Sequence, residues 1–107
     1  MPFVAYELAV ELVTLLQPLV AKVATRDPDL ARQLRTAATS APLNLAEGRR
    51  REGKDQCYHY RVAAGSAEET RACLQVAAAW GHLDEASAAT PLATLDRVAA
   101  MLYRLTH

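Results

Sequence analysis

Aromatic side chains are scarce in this chain, at 6% of its 107 residues. Its core must be assembled from Leu, Val and Ala, which a hydrophobic content of 51% supplies. No window alternates apolar and polar residues with β-branched enrichment, so strands are not expected. The 4 glycines are scattered, which leaves no glycine-rich loop to cradle a phosphate. Cys57 and Cys73 are the only cysteines. On one predicted helix they stand about 24 Å apart at about 1.5 Å per residue. They cannot bridge within the chain and read as free thiols of a reducing cytosol. An excess of either charge is also missing: 12 basic and 12 acidic residues cancel. That removes strong whole-molecule steering toward nucleic acid or anionic lipid, while leaving room for a local patch. It also gives little colloidal protection, which fits a protein that hides surface in an oligomer. The N-terminus lacks a basic leader region and carries Glu7 and Glu11 inside its apolar stretch. No signal peptide, membrane span or membrane partner is therefore expected, and the chain is assigned to the cytoplasm.

What the chain does have is alanine, the best helix former, and helical periodicity. The length suits one domain spanning residues 1–107. Leu8, Leu12, Leu15, Leu19 and Val23 form one stripe, predicting a first helix over 4–24. Tyr6, Val13, Leu16 and Val20 widen that stripe enough for contacts on two sides, one within the fold and one with another subunit. Pro18 is expected to kink this helix or end a first segment near Gln17. Asp27-Pro28 reads as an N-cap followed by proline at the first helical position, opening a second helix from 28 to about 47. Its face is Leu30, Leu34, Ala37 or Ala38, Ala41 and Leu45, with a bend at Pro42. Gly48 can end this helix as a left-handed cap, or Arg49 to Arg51 can continue it another turn, with Gly53 as a second stop. A third helix is predicted over 54–80, with Tyr58, Val62, Ser66 or Gly65, Glu69, Cys73, Val76 and Trp80 along one side. Gly65, within a run of small residues, marks a close helix crossing. A fourth helix is expected to start near Asp84 or after Thr90 and to end near Thr106; Thr90-Pro91 resembles an N-cap pair, which favours a short turn over 84–89 and a main helix from Pro91. The assignment is all-α: an antiparallel, up-down-up-down four-helix bundle.

Two polar signatures stand against this background, Asn44-Leu-Ala-Glu-Gly48 and Gly65-Ser-Ala-Glu-Glu69. Ser40, Asn44 and Glu47 share one helical face, as do Ser66 and Glu69. In an antiparallel hairpin the two stripes face each other. Paired carboxylates can do acid–base work, but a buried network that fixes helix register is the better reading. A di-metal bundle site needs Glu-x-x-His pairs, and no His follows a Glu at that spacing. Cys57 and His59, two residues apart on a helix, do not meet. No catalytic residue, metal or cofactor is therefore expected. Arg49, Arg50 and Arg51, with Lys54 and Arg61 nearby, form the one concentrated charge and are the candidates for contact with phosphates of RNA or DNA.

Ser40-Ala-Pro-Leu-Asn-Leu-Ala-Glu-Gly48, a basic turn, and Ala63-Ala-Gly-Ser-Ala-Glu-Glu69 together resemble a bacterial four-helix-bundle family. Its members are encoded by intervening sequences in 23S ribosomal RNA genes and are related to the accessory proteins of diversity-generating retroelements. By position, Pro42, Asn44, Glu47, Gly48, Gly65, Ser66 and Glu69 carry the family pattern. The resemblance implies a ring of bundles, usually a pentamer, without established enzymatic activity. It also implies, from the retroelement members, nucleic acid and a reverse transcriptase as partners. The expected function is a non-enzymatic homo-oligomeric scaffold that binds a macromolecular partner. Its alternative is a protein-interaction scaffold with no nucleic-acid affinity.

Overall fold

Four helices account for nearly the whole chain: α1 (Val4–Ala24), α2 (Pro28–Arg49), α3 (Gly53–Ala79) and α4 (Glu85–Thr106). The structure, a computed structural model, describes residues 2–107. Each helix packs on its neighbours in sequence, and α4 closes back onto α1. Short connections make neighbours antiparallel, so the all-α, up-down-up-down bundle is what the chain forms. The molecule measures 42 × 22 × 21 Å, with the long dimension along the helices.

Leu12, Leu16, Leu34, Leu45, Leu74, Leu95 and Leu102 fill the centre with almost no exposure. Thr70 and Thr94 are the polar residues buried with them among those described. Asp27 caps α2 through a hydrogen bond from the Leu30 amide at 3.1 Å, with Pro28 next in line, as its residue type predicts. By length and composition α1 is apolar enough to cross a membrane, with a mean hydropathy of 1.5 in its most apolar window. One stripe, from Ala5 through Leu12 and Leu16 to Val23, enters the core, while Tyr6 and Val10 stay exposed.

Several expectations are corrected. Helix α4 does not start at Pro91. Asp84 caps it, accepting from the Ser87 amide at 2.7 Å, and the helix runs through a buried Pro91. This hydrogen bond holds the Asp84 carboxyl below its ordinary range. The proline's lost hydrogen bond is offset by burying its ring in the core. Helix α1 continues through Pro18 and does not end a first segment near Gln17, while α2 runs through Pro42 as its expected range requires. The inward face of α3 is Tyr60, Ala63, Ala67, Thr70, Cys73, Leu74 and Ala77. Tyr58, Val76 and Trp80 point outward, at 61%, 43% and 72% exposure. Apart from Tyr60 and Leu74 the inner face is made of small side chains, and Gly48 of α2 leaves room for the Tyr60 ring.

The glycines also exchange roles. Gly48 lies within α2 and is no left-handed cap; positive φ belongs to Gly53 and Gly81 among the described residues. A Cβ on Gly48 would stand 2.7 Å from the Tyr60 ring, so Gly48 marks the close helix approach. At Gly65 a Cβ would meet nothing within 4 Å.

Candidate nucleic-acid interface and polar joint

The α2–α3 turn is built by the end of one helix and the start of the next. Gly48 lets Tyr60 of α3 lie against α2. Tyr60 contacts Phe3 at 6.1 Å between ring centroids, and the Arg49 guanidinium stands 5.3 Å over the Phe3 ring, within cation–π range. Burial raises the Tyr60 phenol, with the Arg49 charge opposing. The carbonyls at the end of α2 have no helical partners. The Gln56 side-chain amide donates to two carbonyls of this turn, Gly48 at 3.1 Å and Arg51 at 3.0 Å. Gln56 was not singled out from sequence; its signal was a donor-bearing side chain shortly after a glycine-marked helix end.

The basic residues divide by environment. Arg51 reaches Glu47 at 3.1 Å and Asp55 at 3.6 Å. Its hydrogen bond holds the Glu47 carboxyl below the usual range. Arg49 is engaged with Phe3. Arg50, Lys54 and Arg61 are exposed and take part in none of the ion pairs among the described residues. Arg50 and Lys54 at the turn, with Arg61 further along α3, are the exposed cations outside those ion pairs, beside a backbone that Gln56 fixes.

One helical turn further in, α2 and α3 are joined by a polar chain. Ser66 donates to Ser40 Oγ at 2.7 Å. Asn44 Nδ2 donates to the Ser40 carbonyl at 3.0 Å and to Ser40 Oγ at 3.1 Å. His59 Nδ1 lies 3.2 Å from Asn44 Oδ1. The Ser40 carbonyl can only accept, which fixes the amide orientation and leaves Asn44 Oδ1 as an acceptor. His59 must then carry its proton on Nδ1. Thr70 donates to the Ser66 carbonyl at 2.8 Å.

The two expected stripes do meet, but without their carboxylates. Glu47 turns to Arg51, and Glu69 is exposed and makes none of the hydrogen bonds or ion pairs found among the described residues. His59 takes the place expected for a charged group; it lies two helical turns before Ser66, on the same face. Pro42 is buried in α2. Burial, aided by the Glu69 charge, pushes the Cys73 thiol up, away from nucleophilic use. Cys57 is half-buried. Among the described residues no group of His, Cys, Asp and Glu is placed to hold a metal ion. Hydrogen bonds of this kind between packed helices can fix register; they offer no reactive pair.

Comparison with known proteins agrees with this geometry. The family model described as 23S rRNA-intervening sequence protein matches residues 3–104. The chain is similar in fold to the crystal structure of a protein of unknown function from the S23 ribosomal protein family of Bacteroides thetaiotaomicron. The TM-score is 0.87 at 13% identity, over 95% of this chain and 97% of the other. No curated protein matches the chain in sequence.

Proposed function

The chain belongs to the 23S rRNA-intervening sequence protein family, and from that premise we propose that it is a non-enzymatic, homo-oligomeric scaffold presenting a basic turn to nucleic acid or to a nucleic-acid enzyme. The observation that carries the reading is the clamped α2–α3 turn, where Arg50, Lys54 and Arg61 are exposed and outside the ion pairs. Phosphates attract such cations through counterion release, without sequence preference. A single copy offers a modest patch, because Glu52 and Asp55 flank it. Repeating the turn around a ring, with a pentamer as the expected size, multiplies it through effective concentration.

The test is fluorescence anisotropy with labelled structured RNA and duplex DNA across a salt series. The wild type is compared with a variant carrying Arg50→Ala, Lys54→Ala and Arg61→Ala. Micromolar or tighter binding that weakens steeply with salt and disappears in the variant supports the reading. Absence of binding at low salt refutes the nucleic-acid partner. A protein-interaction scaffold without nucleic-acid affinity is then favoured, a reading that the formal net charge of zero already supports.

A further inference from the structure

Two outward faces of the bundle match each other position by position. On α1, Tyr6, Val10, Val13, Gln17, Val20 and Ala24 recur at alternating steps of four and three. On α3, Tyr58, Val62, Gly65, Glu69, Ala72 and Val76 recur at the same steps in the same order. This is the spacing of a coiled-coil seam. Both seams lie on the outside of the bundle: Tyr6 is 37%, Val10 42%, Tyr58 61% and Val76 43% exposed. Each seam has one strongly polar residue, and it occupies the same place in both, Gln17 in the first and Glu69 in the second.

The surroundings add charge complementarity. The α1 seam forms one wall of a groove of about 560 Å³, whose other wall includes Arg35 and Thr39 of α2. Gln17 and Arg35 line that groove together. Arg35 takes part in none of the ion pairs among the described residues, and neither does Glu69. The groove thus offers an unpaired cation in a mostly apolar channel, and the α3 seam offers an unpaired anion in a mostly apolar ridge. The α3 seam runs beside Ser66 and His59, which bond to α2, so ridge and groove lie on adjacent flanks of one molecule.

Resting on the assembly reading above, we infer that the α3 ridge of one copy packs into the α1–α2 groove of a second copy, parallel and in register. Glu69 then meets Gln17 and Arg35. In this register Val13 opposes Gly65 and Val20 opposes Ala72, large against small. It also accounts for Gly65. Glycine inside a helix is destabilising, and within its own protomer nothing approaches this one; the second copy's Val13 fills the space. Because ridge and groove are different surfaces, the contact is heterologous, and placing them on adjacent flanks lets successive copies close into a ring.

Sedimentation and light scattering on the full chain test this. The wild type is expected to sediment as a multimer. Glu69→Arg is expected to reduce the mass to that of one chain, 11.6 kDa, as is Arg35→Glu, and the two together are expected to restore the multimer. Gly65→Leu is expected to give a single chain that keeps its helical circular dichroism and melts no lower than the Glu69→Arg single chain, since the site is open in the protomer. A multimer indifferent to Glu69→Arg and Gly65→Leu overturns the seam while leaving the assembly reading standing. Single variants that dissociate without rescue in the pair overturn the register. A wild type that remains a single chain at all concentrations overturns the assembly reading and the seam with it.

Discussion

The interior of the bundle and the joint between α2 and α3 hold the chain together by different means. The interior is aliphatic, with Leu12, Leu16, Leu34, Leu45, Leu74, Leu95 and Leu102 almost wholly buried. Such burial is non-directional and roughly proportional to area, so it supplies stability while tolerating small rotations and slides of one helix on another. The joint is directional. Gly48 admits the Tyr60 ring at one axial position, and the Ser66–Ser40–Asn44–His59 chain closes at one relative rotation. Both polar signatures reach the joint, one through Asn44 and Gly48 and the other through Ser66, and there they specify register where the leucines specify only adhesion.

The largest loss of stability is expected in the interior. Leu34→Ala is expected to lower stability by about 2–5 kcal/mol, read from urea denaturation at unchanged m-value. A loss below about 1 kcal/mol would mean that the interior is loosely packed and the joint holds the fold. At the joint, Gly48→Val forces a side chain against Tyr60 and is expected to cost about 1–3 kcal/mol by overpacking. Combining it with Tyr60→Leu should return part of that cost; purely additive losses would remove the close approach from the account. Ser40→Ala withdraws an acceptor shared by Ser66 and Asn44, with an expected loss of about 0.5–1.5 kcal/mol. It should be non-additive with Ser66→Ala, and additive losses would show that the chain is not a unit. The smallest effect belongs to the position the joint leaves out. At concentrations where single chains dominate, Glu69→Ala should change stability by no more than about 0.5 kcal/mol. A larger loss would restore Glu69 to the network.

The four helices were legible because apolar spacing and the Asp27-Pro28 pair follow from backbone physics alone. The start of α4 was misread because Thr90-Pro91 and Asp84 both carry N-cap chemistry, and the choice between them depends on burying Pro91 and Ala88. The face of α3 was misread for a related reason. Tyr58, Val76 and Trp80 share one side with Cys73 by helical spacing, but which side is covered depends on the neighbouring helices, and the covered one carries Tyr60, Leu74 and small residues. Ser40, Asn44 and Ser66 were legible as a facing pair of stripes. The carboxylates assigned to that pair were not, because Arg51 competes for Glu47 within its own turn, and geometry sets Glu69 one step outside the joint. Family membership was legible from the two signatures together.

The Gln56 clamp has a consequence for proteolysis. Arg49, Arg50, Arg51 and Lys54 make the α2–α3 turn the densest run of tryptic bonds in the chain. Trypsin needs an extended stretch of backbone in its cleft, and loop tips are the usual sites of nicking. Here the Gly48 and Arg51 carbonyls are held by Gln56, and helices begin and end within the cluster. Cleavage must wait for the end of α2 to open, so its rate reports the population of that opened state, and a turn with many cleavage sites becomes a gauge of how firmly the two helices are closed.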